Sequence, residues 1–218
     1  MKVLLCSTLL SAAAPLLAQA PAALPATQSQ PQAHTSQIGF SYSIPSDWEV
    51  VDVASTLPLV QQQAAKTATS EDEKKGIDCV QIALTARHGT PPSVVVVVAL
   101  PYACFGQTMT DKDLPGFASG TSGGLQKSFD LTDPNYGAYS LGTHSVWIER
   151  AKGSLISHPD SKFTVETVCS ILKKAAVCWM AMAANTDALD TFEHGAVTLD
   201  GETAPLLVPA DAFVKKPL

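Results

Sequence analysis

Three groups of residues carry types and spacings that could do chemistry. Gly120-Thr121-Ser122-Gly123-Gly124 satisfies the Gly-x-Ser-x-Gly pattern of a nucleophile elbow. There a serine on a sharp strand-to-helix turn attacks an acyl carbon, with an acid and a histidine following in the chain. Its surroundings argue otherwise. Leu114-Pro115-Gly116-Phe117 precedes the motif where an apolar strand belongs, and the sequence has no HGGG-like oxyanion loop. His88, in Thr85-Ala86-Arg87-His88, echoes the histidine segment of serine proteases but lies too near Ser122 for the two barrels of that mechanism. A Gly/Ser-rich patch in a helix or loop is the plainer reading. A small serine hydrolase using Ser122 is the alternative.

The second group is Asp190, Glu193 and His194, where Asp190 and His194 share a helix face. This resembles the inverted zinc motif H-x-x-E-H, with Asp where the first His belongs and without a third ligand. His34, His88, His144 and His158 are scattered, so neither a metal nor any other cofactor is expected. The third group is the segment Asp133-Pro134-Asn135-Tyr136-Gly137-Ala138-Tyr139, read as a recognition loop that leads into His144, Trp147 and Arg150. Aromatic and Arg side chains supply large contact areas at interfaces. Tyr136, Tyr139, His144, Trp147 and Arg150 are therefore the candidate binding residues, with half-buried sheet packing as the competing role.

Of five cysteines, Cys6 lies in the N-terminal apolar run, which leaves Cys79, Cys104, Cys169 and Cys178. An even number in an exported chain suggests two disulfides. Phe163 to Leu172 and Ala175 to Ala183 read as a hairpin about Lys173-Lys174, which sets Cys169 opposite Cys178 on one face. Cys79 then pairs with Cys104 across the turn at His88-Gly89-Thr90-Pro91. Two pairs of buried free thiols are the alternative.

These residues need elements to position them. Phe40 to Ile44 and Trp48 to Val53 read as strands around a Pro45-Ser46-Asp47 turn. Leu57, Val60, Ala64 and Ala68 recur at helical spacing. Val80, Ile82, Leu84 and Ala86 share one face of a strand, and Val94 to Val98 reads as a strand covered on both sides. Asp111 can cap a glycine-rich helix holding Leu114, Phe117 and Leu125. Strands then fit Gly137 to Leu141, Ser145 to Lys152 and the cysteine hairpin, before a short helix capped by Thr186 and stopped by Gly195. Hairpin-linked strands separated by helices imply an α+β domain, a single antiparallel β-sheet with helices packed on its faces.

Gly39-Phe40-Ser41-Tyr42-Ser43-Ile44-Pro45-Ser46-Asp47-Trp48, following an export signal and a polar tether, resembles the start of the PsbP-like and DcrB-like domains, which share a fold with the Ran-binding protein Mog. The element order agrees over about Ile38 to Leu199. The resemblance implies the fold and a binding role, mostly without catalysis, and carries over no functional residue. The chain departs from the lipoprotein members in having no usable lipidated Cys, because Leu5 precedes Cys6 where a small residue is required.

Lys2, the apolar run from Val3 to Leu17 and Ala18-Gln19-Ala20 form the three parts of a secretory signal over residues 1–20, with cleavage after Ala22 as an alternative. Pro15 interrupts a run already short of a membrane span. Residues 21–37, rich in Pro, Gln, Ala, Ser and Thr, read as a disordered polar tether. Residues 38–209 follow as one globular domain and 210–218 as a C-terminal tail. The chain is 46% hydrophobic and 16% charged, enough apolar material for a sizeable core. Its formal net charge is −6, one unit more negative once Lys2 is removed, and it has no basic cluster. Nucleic-acid binding needs convergent cations and is not expected, nor is a transmembrane segment in the mature chain. The expected function is that of a periplasmic or secreted, non-catalytic domain binding a protein or a small apolar ligand, with a structural envelope module as a further alternative.

Overall fold

The computed structural model describes residues 32–35, 38–52, 61–62, 70–90, 92–125, 129–156 and 158–214. The signal, most of the tether, and all but Gln61 and Gln62 of the helix expected through Leu57 and Ala68 lie outside these residues.

Strands dominate. An eight-stranded antiparallel sheet runs in the order β12-β6-β7-β8-β9-β5-β4-β3. It is built from β3 (Glu49–Val50), β4 (Gln81–His88), β5 (Ser93–Pro101), β6 (Phe129–Leu141), β7 (His144–Leu155), β8 (His158–Ile171), β9 (Ala175–Ala183) and β12 (Phe213–Val214). A second, four-stranded sheet joins β1 (Gln32–Thr35), β2 (Phe40–Ile44), β10 (Ala196–Leu199) and β11 (Glu202–Pro205) in the order β1-β2-β10-β11. The expected single sheet is therefore corrected to two. The short apolar segment after the last helix pairs with β2, Ala196 opposite Ser43 through Leu199 opposite Phe40, and draws that first strand out of the large sheet. Gln32–Thr35, inside the expected tether, pairs with β2, and Phe213–Val214, inside the expected tail, pairs with β6 at Gly137 and Tyr136.

Alternation sorts the large sheet into two faces. Val95, Val97, Val146, Ile148, Val168 and Trp179 point toward the small sheet and are sealed against Phe40, Tyr42 and Ile44 of β2. Helix α4 (Thr186–Glu193) completes this core with Leu189 and Phe192. Its cap is Asn185, whose side chain accepts from Ala188 N at 2.9 Å, rather than Thr186. The opposite face carries a smaller cluster of Trp147, Cys169 and Cys178 under helix α3 (Leu114–Leu125). Glycine makes α3 a poor helix by propensity, yet it forms. Thr110 and Asp113 build a capping box just before it, and Leu114, Ala118 and Ser122, one turn apart, are buried facing the sheet. Asp111, the expected cap, instead begins the 3-10 turn Asp111–Asp113. Helix α1 (Glu71–Cys79) and the short α2 (Tyr102–Phe105) precede β4 and follow β5.

Two glycines let chains cross. A Cβ on Gly137 would meet Ala212 O at 1.8 Å, so only glycine lets the C-terminal segment lie along β6. One on Gly153 would stand 2.8 Å from the Phe163 ring. Further along β6 a bulge between Thr132 and Asn135 places Asp133 at φ 52, next to Pro134. The segment read as a loop is thus part of a strand, interrupted rather than free.

Candidate functional site

The five candidate binding residues fall on β6 and β7 but do not converge. Arg150 pairs in register with Asn135 and Tyr139 with Val146, on the face toward the small sheet; Tyr136 and Trp147 occupy the other face. Trp147 is buried beside the bridged cysteines, with the half-buried Tyr136 ring 6.4 Å away. His144 sits at the β6–β7 turn, its Nε2 3.9 Å from Asp200. Asp200 also accepts from Lys173 N at 3.0 Å, so His144 belongs to the contact between the two sheets.

Arg150 is the centre of a buried ionic cluster. Its Nε donates to Glu166 at 2.8 Å and its terminal nitrogen to Glu193 at 2.9 Å, while the guanidinium lies over the Phe213 ring at 4.8 Å. Glu166 and Glu193 are 1% and 3% exposed and share a hydrogen bond. Burial pushes the Glu166 carboxyl up to about 7 against the pull of Arg150, and Glu193 adds to the rise. Glu193 is raised too, chiefly by burial, although Val208 N and Arg150 draw it down. Tyr139 lies beside them with its hydroxyl buried, raised first by that burial and then by the two glutamates. One arginine between two carboxyls, one of them holding its proton, comes to near neutrality without bulk water. Nothing in its geometry presents a reactive group outward.

The partners of Arg150 were not singled out from sequence, although a signal exists. Glu166 occupies a position of β8 whose neighbour two residues on, Val168, is core, so alternation turns a carboxylate inward and requires a cation.

The nucleophile elbow has no elbow. Ser122 lies within α3, 4% exposed, and its hydroxyl has no hydrogen-bond partner among the described residues. It faces the sheet near the bridged cysteines, where neighbouring Thr121 Oγ1 is 3.5 Å from Cys178 Sγ. Nor do Asp190, Glu193 and His194 form a ligand set: Glu193 turns inward to Arg150 while Asp190 and His194 are exposed. Among the described residues no group of three acidic, His or Cys side chains could hold a metal.

Both disulfides are present, Cys79–Cys104 and Cys169–Cys178. The second joins directly paired residues of β8 and β9, the register expected from the hairpin. In the first, Cys79 ends α1 and Cys104 lies in α2.

Open space lies elsewhere, at the far ends of β6, β7 and β8. One cleft of about 510 Å³ is lined by Phe129, Leu131, Leu155, Ile156 and Pro159, with Asp130 and Ser154. An adjoining cleft of about 470 Å³ shares Asp130 and Ser154 and continues over Lys152, Lys162, Thr164 and the start of α4 at Asn185 and Thr186. Among the described residues no helix is long and apolar enough to cross a membrane.

No protein-family model and no curated protein matches the chain. Solved structures similar to it include a cyanobacterial PsbP (CyanoP) from Synechocystis, at 13% identity over 78% of this chain and 89% of that one, with a TM-score of 0.40. LpqN, involved in cell envelope biogenesis of Mycobacterium tuberculosis, is similar at 15% identity over 80% and 90%, also with a TM-score of 0.40.

Proposed function

We propose that the chain is an exported, non-catalytic binding domain of the cell envelope, its globular part spanning residues 38–209 behind a signal over 1–20. The observation that carries this reading is the separation of reactive groups from open space. The ionisable residues that could drive chemistry, Arg150, Glu166 and Glu193, saturate one another in the core. The clefts are lined instead by apolar side chains, hydroxyls, two lysines and Asp130, a composition suited to holding a ligand. The two disulfides support a life outside the cytoplasm.

Affinity capture from the envelope fraction tests the proposal. Ile156 is 58% exposed at the mouth of the apolar cleft, so Ile156→Asp leaves the fold intact. A partner retained by the wild-type protein and lost by this variant is the expected result. Labelling by a fluorophosphonate probe that Ser122→Ala abolishes would replace the reading with a hydrolase.

A further inference from the structure

The two disulfides sit in opposite surroundings. Cys169 and Cys178 are both 0% exposed, sealed between the large sheet and α3. Cys79 is 4% exposed, but its partner Cys104 stands exposed on α2. Their bridge closes the open end of the β4–β5 hairpin, because α1 runs into β4 and β5 runs into α2. Pairing near that end is irregular between Ile82 and Leu84, so the ladder itself holds it weakly. Helix α1 is polar, with Glu71, Lys74, Lys75 and Asp78 exposed and the Lys74–Glu71 ion pair internal to it. Its ties to the body gather toward its last turn. They are the bridge itself and Gln61 Nε2, which donates to Ile77 O and Val80 O at 3.0 Å each. Lys75, one turn before Cys79 on the same face, reaches the end of α2, where a Cβ on Gly106 would stand 3.3 Å from its Nζ. A cation thus stands over the contact between the two bridged helices.

We propose that Cys79–Cys104 is a thiol–disulfide exchange site for an exported dithiol protein, and that its opening releases α1 while Cys169–Cys178 stays closed. The inference goes beyond the binding reading and depends on neither cleft. The incoming thiolate attacks the Sγ of Cys104 from the exposed side; the S–S bond breaks and Cys79 departs inward as a thiolate. The second thiolate of the dithiol then attacks its own sulfur in the mixed disulfide and expels Cys104. Two electrons pass to the protein, the dithiol leaves as a disulfide, and its two protons end on Cys79 and Cys104. Lys75 favours the departing thiolate of Cys79. Asp78 and the C-terminal end of α1 oppose it, so the cation governs the rate. With the bridge open, the Gln61 bonds are left to hold a charged helix of nine residues, too short to be stable alone. The redox state of one bridge thereby decides whether this corner of the domain is ordered.

Oxidised, full mature protein, free of denaturant, is treated with dithiothreitol and quenched with iodoacetamide at intervals. Peptide maps should show Cys79 and Cys104 alkylated at least about tenfold faster than Cys169 and Cys178. Reduced glutathione, a monothiol, should be trapped on Cys104 and not on Cys79. Reduced thioredoxin, a dithiol protein, should open the same bridge. Trypsin should then cut at Lys74 or Lys75 while the β8–β9 hairpin stays protected. Lys75→Ala should slow the first reduction about threefold with thermal unfolding unchanged, and Lys74→Ala should leave it at the wild-type rate. Equal rates for the two bridges, glutathione on Cys79, no reaction with thioredoxin, an unchanged rate in Lys75→Ala, or an α1 that resists trypsin after reduction overturns the proposal. Envelope capture sensitive to Ile156→Asp stands or falls separately from all of these.

Discussion

Arg150 on β7 donates to Glu193 at the end of α4, a bond of 2.9 Å between residues 43 apart in the chain. Through it the last helix is held to the middle of the large sheet, and Val208 N, donating to the same carboxyl at 3.3 Å, brings the C-terminal segment to the same point. The cluster thus works as a fastening, and its protonation has a measurable sign.

Stability should fall as pH rises through neutrality. The Glu166 carboxyl releases its proton near 4.5 in the unfolded chain but only at about 7 in the folded one. The folded state therefore binds more protons between those values, and its contribution is complete below the lower value and lost as pH passes the upper. Urea unfolding at several pH values from about 5 to about 8 should show this decline. Glu166→Gln, neutral at every pH, should flatten it. An equally steep decline in that variant would place its source elsewhere.

Gly137→Ala should loosen the C-terminal end specifically. The added methyl would overlap Ala212 O, so β12 must leave its place on β6 and Phe213 must leave Arg150. A cost of about 1–3 kcal/mol is expected. Limited proteolysis should cut near Ala212 faster than in the wild type, while the β8–β9 hairpin stays protected.

The bridges should form only after export. Chain-entropy arguments give about 2.5 kcal/mol for the loop closed by Cys169–Cys178 and about 3.5 kcal/mol for the longer loop closed by Cys79–Cys104. Protein made in a reducing cytoplasm should lack both and unfold at lower urea. Non-reducing peptide maps of exported protein should contain these two linked pairs and no other pairing.

Export itself is checked by the N-terminus. Protein recovered from the native host's envelope should begin between Gln19 and Leu24, as the small-residue cleavage site implies. An intact Met1 on that material would contradict the signal.

Trp147→Ala should cost stability before it costs binding. The ring is 7% exposed against the bridged cysteines, so its removal leaves a cavity worth about 3–5 kcal/mol. A variant that lost its envelope partner while keeping wild-type thermal stability would instead support Trp147 as a contact residue.

Much of the architecture was legible because it rests on local rules. Alternation around Lys173-Lys174 gave the β8–β9 register to the residue, since a slip by one would turn Val168 and Trp179 out of the core. The second sheet was missed, and its cause is non-local: nothing near Phe40 states that its partner is Leu199. One clue was available. Asp200-Gly201, both at positive φ, is the two-residue turn that joins β10 to β11. The candidate site was only half legible. Tyr136, Tyr139, Trp147 and Arg150 were identified by side-chain type, but strand alternation divides them between two faces. The clefts arise where three strands outrun the smaller sheet, and that difference in length is a property of the assembled molecule.

The bulge in β6 has a consequence for how copies of this protein meet. Among the described residues the outer side of β6 is paired only at Tyr136 and Gly137, which leaves long stretches of a thirteen-residue strand with unpaired amides and carbonyls. Such an edge invites another chain to add a strand. Pro134 has no N–H to donate there, and Asp133 turns the backbone into the left-handed region, so the edge is broken at this point. The interruption that spoils the ladder with β7 for two residues also keeps the margin of the sheet from becoming a template for aggregation.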